Sequence, residues 1–395
     1  MVDLLWDVQI EGMLRHRFPQ ATADDLRKAH AFAYGGSLIA DMGYYPFGSK
    51  YFSDLLHYVR SGDLVVALLN DSSDLNGYAF ALGALSHYTS DNSGHPTINR
   101  VVGIEFPKLA KKYGATVTYA ADPKAHIRTE FGFDMVQVAK SRYTSDRYHD
   151  FIGFEIDKPL IEQAFQETYG ISLHDVIKNE DLAIGTFRRA VSQVIPEMTR
   201  VALLARKQEI VKDTPNFNEK KFRYYLSRKQ YEKDWGTTYR KPGFGGRILA
   251  LFLRLVPKVG PFSALAFEIP TTQTEDMYIK SVNLTVENYG KVLRSSRQPG
   301  LTLPNKDCDT GRDTDAGEYQ LTDKAYERLL NQHAQGDFKE ITPALRTNIL
   351  DFYTNLNAPI WTKRSKKAWH TTLTNLTRLQ ATPPPVQATN VKVAE

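Results

Sequence analysis

The stretch TADDLRKAHAFAYGGSLIADMG, residues 22–43, constrains the fold more than any other in this sequence. Thr22 offers an N-cap hydroxyl, Asp24 and Asp25 place negative charge in the first turn, and apolar residues recur at helical spacing. The run FSDLLHYVRSGDLVVALLNDSSDLNGYAFALGALSHYTSD continues with two further helices, broken around Ser61 and Gly62 and again from Asn70 to Gly77. Further helical patterns occupy KPLIEQAFQETYG, LAIGTFRRAVSQVIPEMTRVALLARKQEIV, YIKSVNLTVENYGKVLRSS, DKAYERLLNQHAQG and TPALRTNILDFYTNL. Strand alternation is confined to VVALL and ATVTYA, and neither an internal repeat nor a heptad array is present. The expected fold is all-α and multi-helical.

A chain of 395 residues can bury a full hydrophobic core. Its single cysteine, Cys308, excludes an internal disulfide framework and a thiolate zinc site. Any metal must therefore be held by His, Asp and Glu. The sequence lacks both an apolar run of membrane-spanning length and an export signal at its start, so the chain as given reads as soluble. Its first residues, with Val2, Leu4, Leu5, Val8 and Ile10 apolar and nothing to cap them, resemble the middle of a helix, which leaves room for an upstream segment.

Charge divides the chain. Residues 206–258 carry 14 Lys and Arg against 5 Asp and Glu, which turns an overall charge of +5 into a regional +9 and leaves −4 elsewhere. The reading is a first unit over 1–200, an additional basic and mostly helical region over 201–375, and a flexible tail over 376–395. The segment QPGLTLPNKDCDTGRDTDAGEYQL reads as a solvated loop, since its DTDAGE fails the calcium-loop pattern.

Five of the 10 histidines, His30, His57, His87, His95 and His126, fall between residues 30 and 126. His87 with Asp91, and His126 with Glu130, share the H-x-x-x-[D/E] spacing. On a helix such residues lie on one face with Cβ atoms about 5–6 Å apart, close enough to chelate one ion, although a surface helix pair has the same spacing. His87 follows the apolar run YAFALGALS, where an unpaired imidazole and carboxylate would be costly to bury. Asp41 and His57 are likewise polar residues in apolar surroundings, where a satisfied core residue is the plainer reading for each alone. A phosphate-binding glycine loop, G-x-S-x-G and a partnered catalytic cysteine are all missing, which leaves metal chemistry as the surviving hypothesis.

In order, G-x-x-I-A-D ending at Asp41, then His57, then F-x-L-G-x-x-x-H-Y-x-x-D spanning His87 and Asp91, then His95 beside a proline, then His126 and Glu130, resemble the bacterial zinc-dependent phospholipase C family. The S1/P1-type nucleases share that family's trinuclear zinc architecture. The resemblance implies that Asp41, His57, His87 and Asp91 hold one zinc, with Asp91 bridging to a neighbour, and that His95, His126 and Glu130 hold another. Relative to the family, His95 is close to Asp91 and far from His126, which an extended loop after Pro96 would absorb. The family's third zinc uses a processed N-terminal residue and a histidine of the first helix. Here Trp6 is internal and His16 sits in a basic segment, so the centre holds two or three ions, with His30 as a stand-in ligand or a packing histidine.

The implied activity is hydrolysis of a phospholipid phosphodiester by zinc-activated water, with Asp41 orienting or deprotonating that water. Tyrosines of MGYYPFGSKYF either line the headgroup pocket or pack the helices. The segment 243–267, with Arg247 and Arg254 on one helical face, fits both an interfacial helix on anionic lipid and a buried helix with snorkelling arginines. Two other functions remain open: a single-strand nuclease whose basic region tracks phosphates, and a zinc-stabilised helical binding protein without activity. The family is usually exported.

Overall fold

Thr22 caps its helix as the sequence predicts. The Asp25 N–H donates to the Thr22 hydroxyl and the Thr22 N–H donates to the Asp25 carboxylate, a reciprocal box that satisfies donors left free at a helix start. The structure, a computed structural model, describes residues 1–140, 153–191 and 269–383. Helices α1 (Val2–Leu5) and α2 (Glu11–Arg17) are joined by a π-helical turn at Trp6–Ile10. Helix α3 (Ala23–Leu38) runs into a 3-10 turn at Ile39–Tyr44. Next come α4 (Lys50–Tyr58), α5 (Ser61–Asp71), α6 (Leu75–Glu105), α7 (Pro107–Tyr113) and α8 (Pro123–Lys140). The remaining helices are α9 (Lys158–Tyr169), α10 (Leu173–Val176), α11 (Glu180–Arg189), α12 (Thr272–Ser295), α13 (Gln320–Gln335), α14 (Pro343–Phe352) and α15 (Lys366–Ala381).

The all-α expectation holds. Of the two strand candidates, VVALL lies inside α5 and ATVTYA has no regular structure, while the strand-like pairing among the described residues is an isolated bridge between Lys306 and Asp313. A short apolar run cannot distinguish a buried helix from a buried strand, and here burial of Leu64, Val65, Ala67 and Leu68 serves a helix. The stretch 52–91 holds parts of three helices rather than two. At the other end α15 continues to Ala381, so residues 376–381 are helical rather than tail. Residues 384–395, the basic stretch 206–258 and the segment 243–267 lie outside the described residues.

Helices α3 and α6 meet backbone to backbone because each supplies a glycine to the contact. A Cβ on Gly36 would lie 1.9 Å from the Phe80 carbonyl oxygen, and one on Gly83 would lie 2.0 Å from that of Ala33. One contiguous apolar core then extends from Val2 and Trp6 through Phe80 and Tyr169 to Leu330 and Leu379, joining segments from both ends of the sequence. The Tyr289 hydroxyl of α12 donates to the Leu82 carbonyl at 2.8 Å and fixes the late helices on α6. A smaller core of Ile98, Val101, Val102, Val117, Ala125 and Phe133 seats α8 against the far end of α6.

The extended loop expected after Pro96 is absent, and α6 passes through the proline to Glu105. Proline has no N–H for the Asn92 carbonyl and normally breaks a helix interior. Here Gly311, at φ +68°, packs on that notch, where a Cβ would lie 2.5 Å from the Asn92 oxygen and 2.9 Å from Pro96 Cγ. Replacing Gly83 by Ala forces α3 and α6 apart. We expect a loss of about 1–3 kcal/mol, the usual cost of overpacking, measured by urea denaturation.

Candidate metal centre

Uninterrupted, α6 carries His87, Asp91, His95 and Asn99 at four-residue intervals, so one helix presents a row of polar groups towards its neighbours. Helix α3 approaches through its glycine contact, and the 3-10 turn that follows carries Asp41. Ser53 ties that turn to α4, since its hydroxyl contacts the Ala40 carbonyl and accepts the Gly43 N–H at 3.0 Å. One turn further along α4 is His57. Helix α8 supplies His126 and Glu130.

Asp41, His57 and His87 form one cluster whose ligand atoms lie within 4.8 Å of one another, and His95, His126 and Asp309 form a second. In the first, His57 Nε2 and His87 Nε2 are 3.2 Å apart. His57 Nε2 stands 3.6 Å from Asp41 Oδ1 and 3.3 Å from Asp91 Oδ2, and His87 Nε2 stands 3.1 Å from the same Asp91 oxygen. In the second, Glu130 Oε1 lies 3.3 Å from His95 Nε2 and 3.1 Å from His126 Nε2. Asp91 lies between the two: while Oδ2 faces the first cluster, Oδ1 is 4.0 Å from His95 Nε2. All seven residues expected from the sequence are thus brought together.

The far nitrogens show how the rings are aimed. His57 Nδ1–H donates to the Ser53 carbonyl at 2.7 Å, His87 Nδ1–H to that of Ser37 at 3.0 Å, and His95 Nδ1–H to that of Cys308 at 3.0 Å. With Nδ1 as the donor on both rings, the two Nε2 atoms face each other across 3.2 Å, so a proton on one of them, or a metal ion in its place, must lie between them. Asp91 Oδ2 is buried and lacks an aligned hydrogen-bond partner, although both Nε2 atoms are close. That arrangement suits groups directed at a common centre better than groups bonded to each other.

Electrostatics favours the same occupant. Burial pulls the His87 imidazole down, but the Asp91 carboxylate more than reverses this and holds it at about 9. Burial likewise lowers His95, and Asp91 and Glu130 lift it well above the ordinary histidine range. Burial alone would raise Asp91 and Glu130, yet the neighbouring histidines hold both below the usual carboxylate range. Asp41 is raised, chiefly by desolvation. Four carboxylates, Asp41, Asp91, Glu130 and Asp309, have histidines as their ion-pair partners, and among the described residues no Lys or Arg lies within 4.0 Å of them. Two divalent cations would neutralise that charge, and the imidazole and carboxylate donors are those zinc accepts.

Asp309 was not foreseen. Its segment reads as solvated loop, yet Asp307, Cys308 and Asp309 are buried, and the Cys308 N–H donates to the His57 carbonyl at 3.0 Å. Aspartates flanking the only cysteine were the available signal, but composition could not show that this loop folds back onto α6. Other expectations fare differently. His30 is sandwiched between Trp6 and Tyr34, with Nε2 3.0 Å from Asp3 Oδ1, and joins neither cluster. His16 is exposed, and a third cluster is absent among the described residues. Of the tyrosines in MGYYPFGSKYF, Tyr44 has its ring 6.0 Å from that of His57, Tyr45 packs on Phe187, and Tyr51 lies beneath Arg328.

Residues 5–179, a little under half of the chain, match the family model for zinc dependent phospholipase C. No curated protein and no solved structure matches the chain. A kinship with S1/P1-type nucleases finds no support in these comparisons. The matched span contains Asp41, His57, His87, Asp91, His95, His126 and Glu130, while Asp309 lies beyond it.

Adding zinc to chelator-treated protein should raise its thermal midpoint. Zinc at about 1,000 times its dissociation constant adds about 4 kcal/mol per site by mass action, and calorimetry with and without chelator measures the gain.

Proposed function

We propose that the chain is a zinc-dependent phosphodiester hydrolase of the phospholipase C type, acting on a phospholipid headgroup. The observation carrying this reading is the pair of histidine and carboxylate clusters, joined through Asp91, whose residues other than Asp309 fall inside the span that matches the zinc dependent phospholipase C model. Asp41, His57, His87 and Asp91 would hold one ion; His95, His126 and Glu130, with Asp91 as the bridge, would hold the other. Zinc, when bound, acidifies water towards neutral pH and offsets charge on phosphoryl oxygens during an in-line displacement.

The chain's own residues supply the rest. In each cluster one carboxylate remains substantially exposed, Asp41 with 40% of its side chain and Glu130 with 37%, which marks the side from which substrate enters. The carboxylate oxygen of Asp41 that faces this side accepts the proton of the attacking water. The tilted rings of Tyr44 and Tyr119, 6.3 Å apart, stand beside His57 and His126 and flank this side. Ser37, Ser53 and Cys308 keep the three imidazoles aimed through their carbonyls.

The test is hydrolysis of phosphatidylcholine vesicles, a soluble phosphodiester and single-stranded DNA, side by side with metal analysis. Release of phosphorylated headgroup should be abolished by chelation and restored by zinc. His87→Ala and Glu130→Ala should each lower it by more than about 100-fold, beyond the usual loss from a residue that merely orients a ligand. Wild-type protein without zinc and without chelator-sensitive hydrolysis would refute the proposal, and cleavage of DNA alone would move it to the nuclease reading.

A further inference from the structure

Asp309 has 2% of its side chain exposed. A carboxylate so buried demands compensation, and what surrounds it is weak. The Tyr119 N–H reaches Oδ2 at 3.3 Å, the Asn99 amide reaches Oδ1 at 3.5 Å, and the Tyr319 hydroxyl is the remaining partner. Charge-assisted hydrogen bonds to a carboxylate are normally about 2.7–2.9 Å long. His95 does not make up the difference, because its Nδ1, 4.0 Å from Asp309 Oδ1, already donates to the Cys308 carbonyl.

This carboxylate lies in the cluster of His95, His126 and Asp309, whose ligand atoms lie within 4.8 Å of one another. We infer that Asp309 is a ligand of the second metal ion, delivered from a loop beyond the family-matched span. This inference rests on the zinc reading above. The loop is built to hold the carboxylate in place. Asp307 Oδ1 accepts the N–H groups of Asp309 and Thr310 at 3.0 and 2.9 Å, and its Oδ2 accepts the Thr322 hydroxyl at 2.6 Å. The Asn99 amide also donates to the Asp309 carbonyl at 2.7 Å, so α6 grips the backbone and leaves the carboxylate directed at the cluster. Asp309 brings the carboxylates around the two clusters to four.

The experiment compares the full-length wild-type protein with Asp309→Asn, which keeps shape and removes charge. Zinc is counted by elemental analysis and titrated calorimetrically, and thermal melts are recorded with and without chelator. The wild type should bind two zinc ions; the variant should keep one tightly and bind the other more than about 100-fold more weakly, beyond the 10- to 100-fold typical of an orienting partner. The melts should part only with zinc: metal-free Asp309→Asn should melt close to metal-free wild type, while with zinc it should melt lower. Two ions bound within about 100-fold of wild-type affinity would overturn the inference. So would a variant that fails to fold, or one equally destabilised with and without zinc. A wild type that binds no zinc refutes the zinc reading itself, whereas an unchanged variant beside a two-zinc wild type refutes the role of Asp309 alone.

Discussion

An imidazole can be aimed only if its far nitrogen is held, and here the holders are backbone carbonyls. Ser37 lies in the last turn of α3, Ser53 lies inside α4, and Cys308 belongs to a loop from the later part of the chain; each accepts an Nδ1–H from a different histidine. Side-chain partners could rotate or titrate away, but carbonyls fixed by helix packing cannot. His57 and His87 thereby turn their Nε2 atoms on each other across 3.2 Å, an arrangement that needs a proton or a metal cation between them. The packing of the whole molecule therefore prepares a place for a cation before any cation arrives.

That preparation draws on segments far apart in sequence. The glycines that let α3 touch α6 bring the Ser37 carbonyl to His87, and the apolar core shared by early and late helices brings Cys308 to His57 and His95. The loop at 307–311 is both wedge and strut: Gly311 fills the notch at Pro96, and Asp307 ties the turn to Thr322 of α13. A family match ending at residue 179 describes the ligand row but not this support.

Much of this was legible in the sequence. The helical periods, the Thr22 cap and the expected donors Asp41, His57, His87, Asp91, His95, His126 and Glu130 follow from spacing and resemblance, because helix geometry is local and the motifs fall in order. The misreadings share a cause, which is that tertiary contact overrode a local rule. Pro96 signals a helix end, but a glycine from more than 200 residues away covers the carbonyl it leaves unpaired. Asp and Gly content signals a solvated loop, but Asp309 is buried against α6 through Asn99. VVALL could serve strand or helix, and only its neighbours decided. No local pattern in a single sequence encodes such encounters.

The row along α6 sets a scale for the centre. At 3.6 residues per turn, each four-residue step from His87 to Asp91, His95 and Asn99 overshoots a full turn by about 40° and climbs about 6 Å. A row with a strict helical period would point at one spot. This one winds slowly round the helix, so its lower end faces α3 and α4, its upper end faces α8 and the 307–311 loop, and Asp91 stands where the two sectors overlap. The separation of the two clusters is thus a property of helix pitch, as rigid as α6 itself.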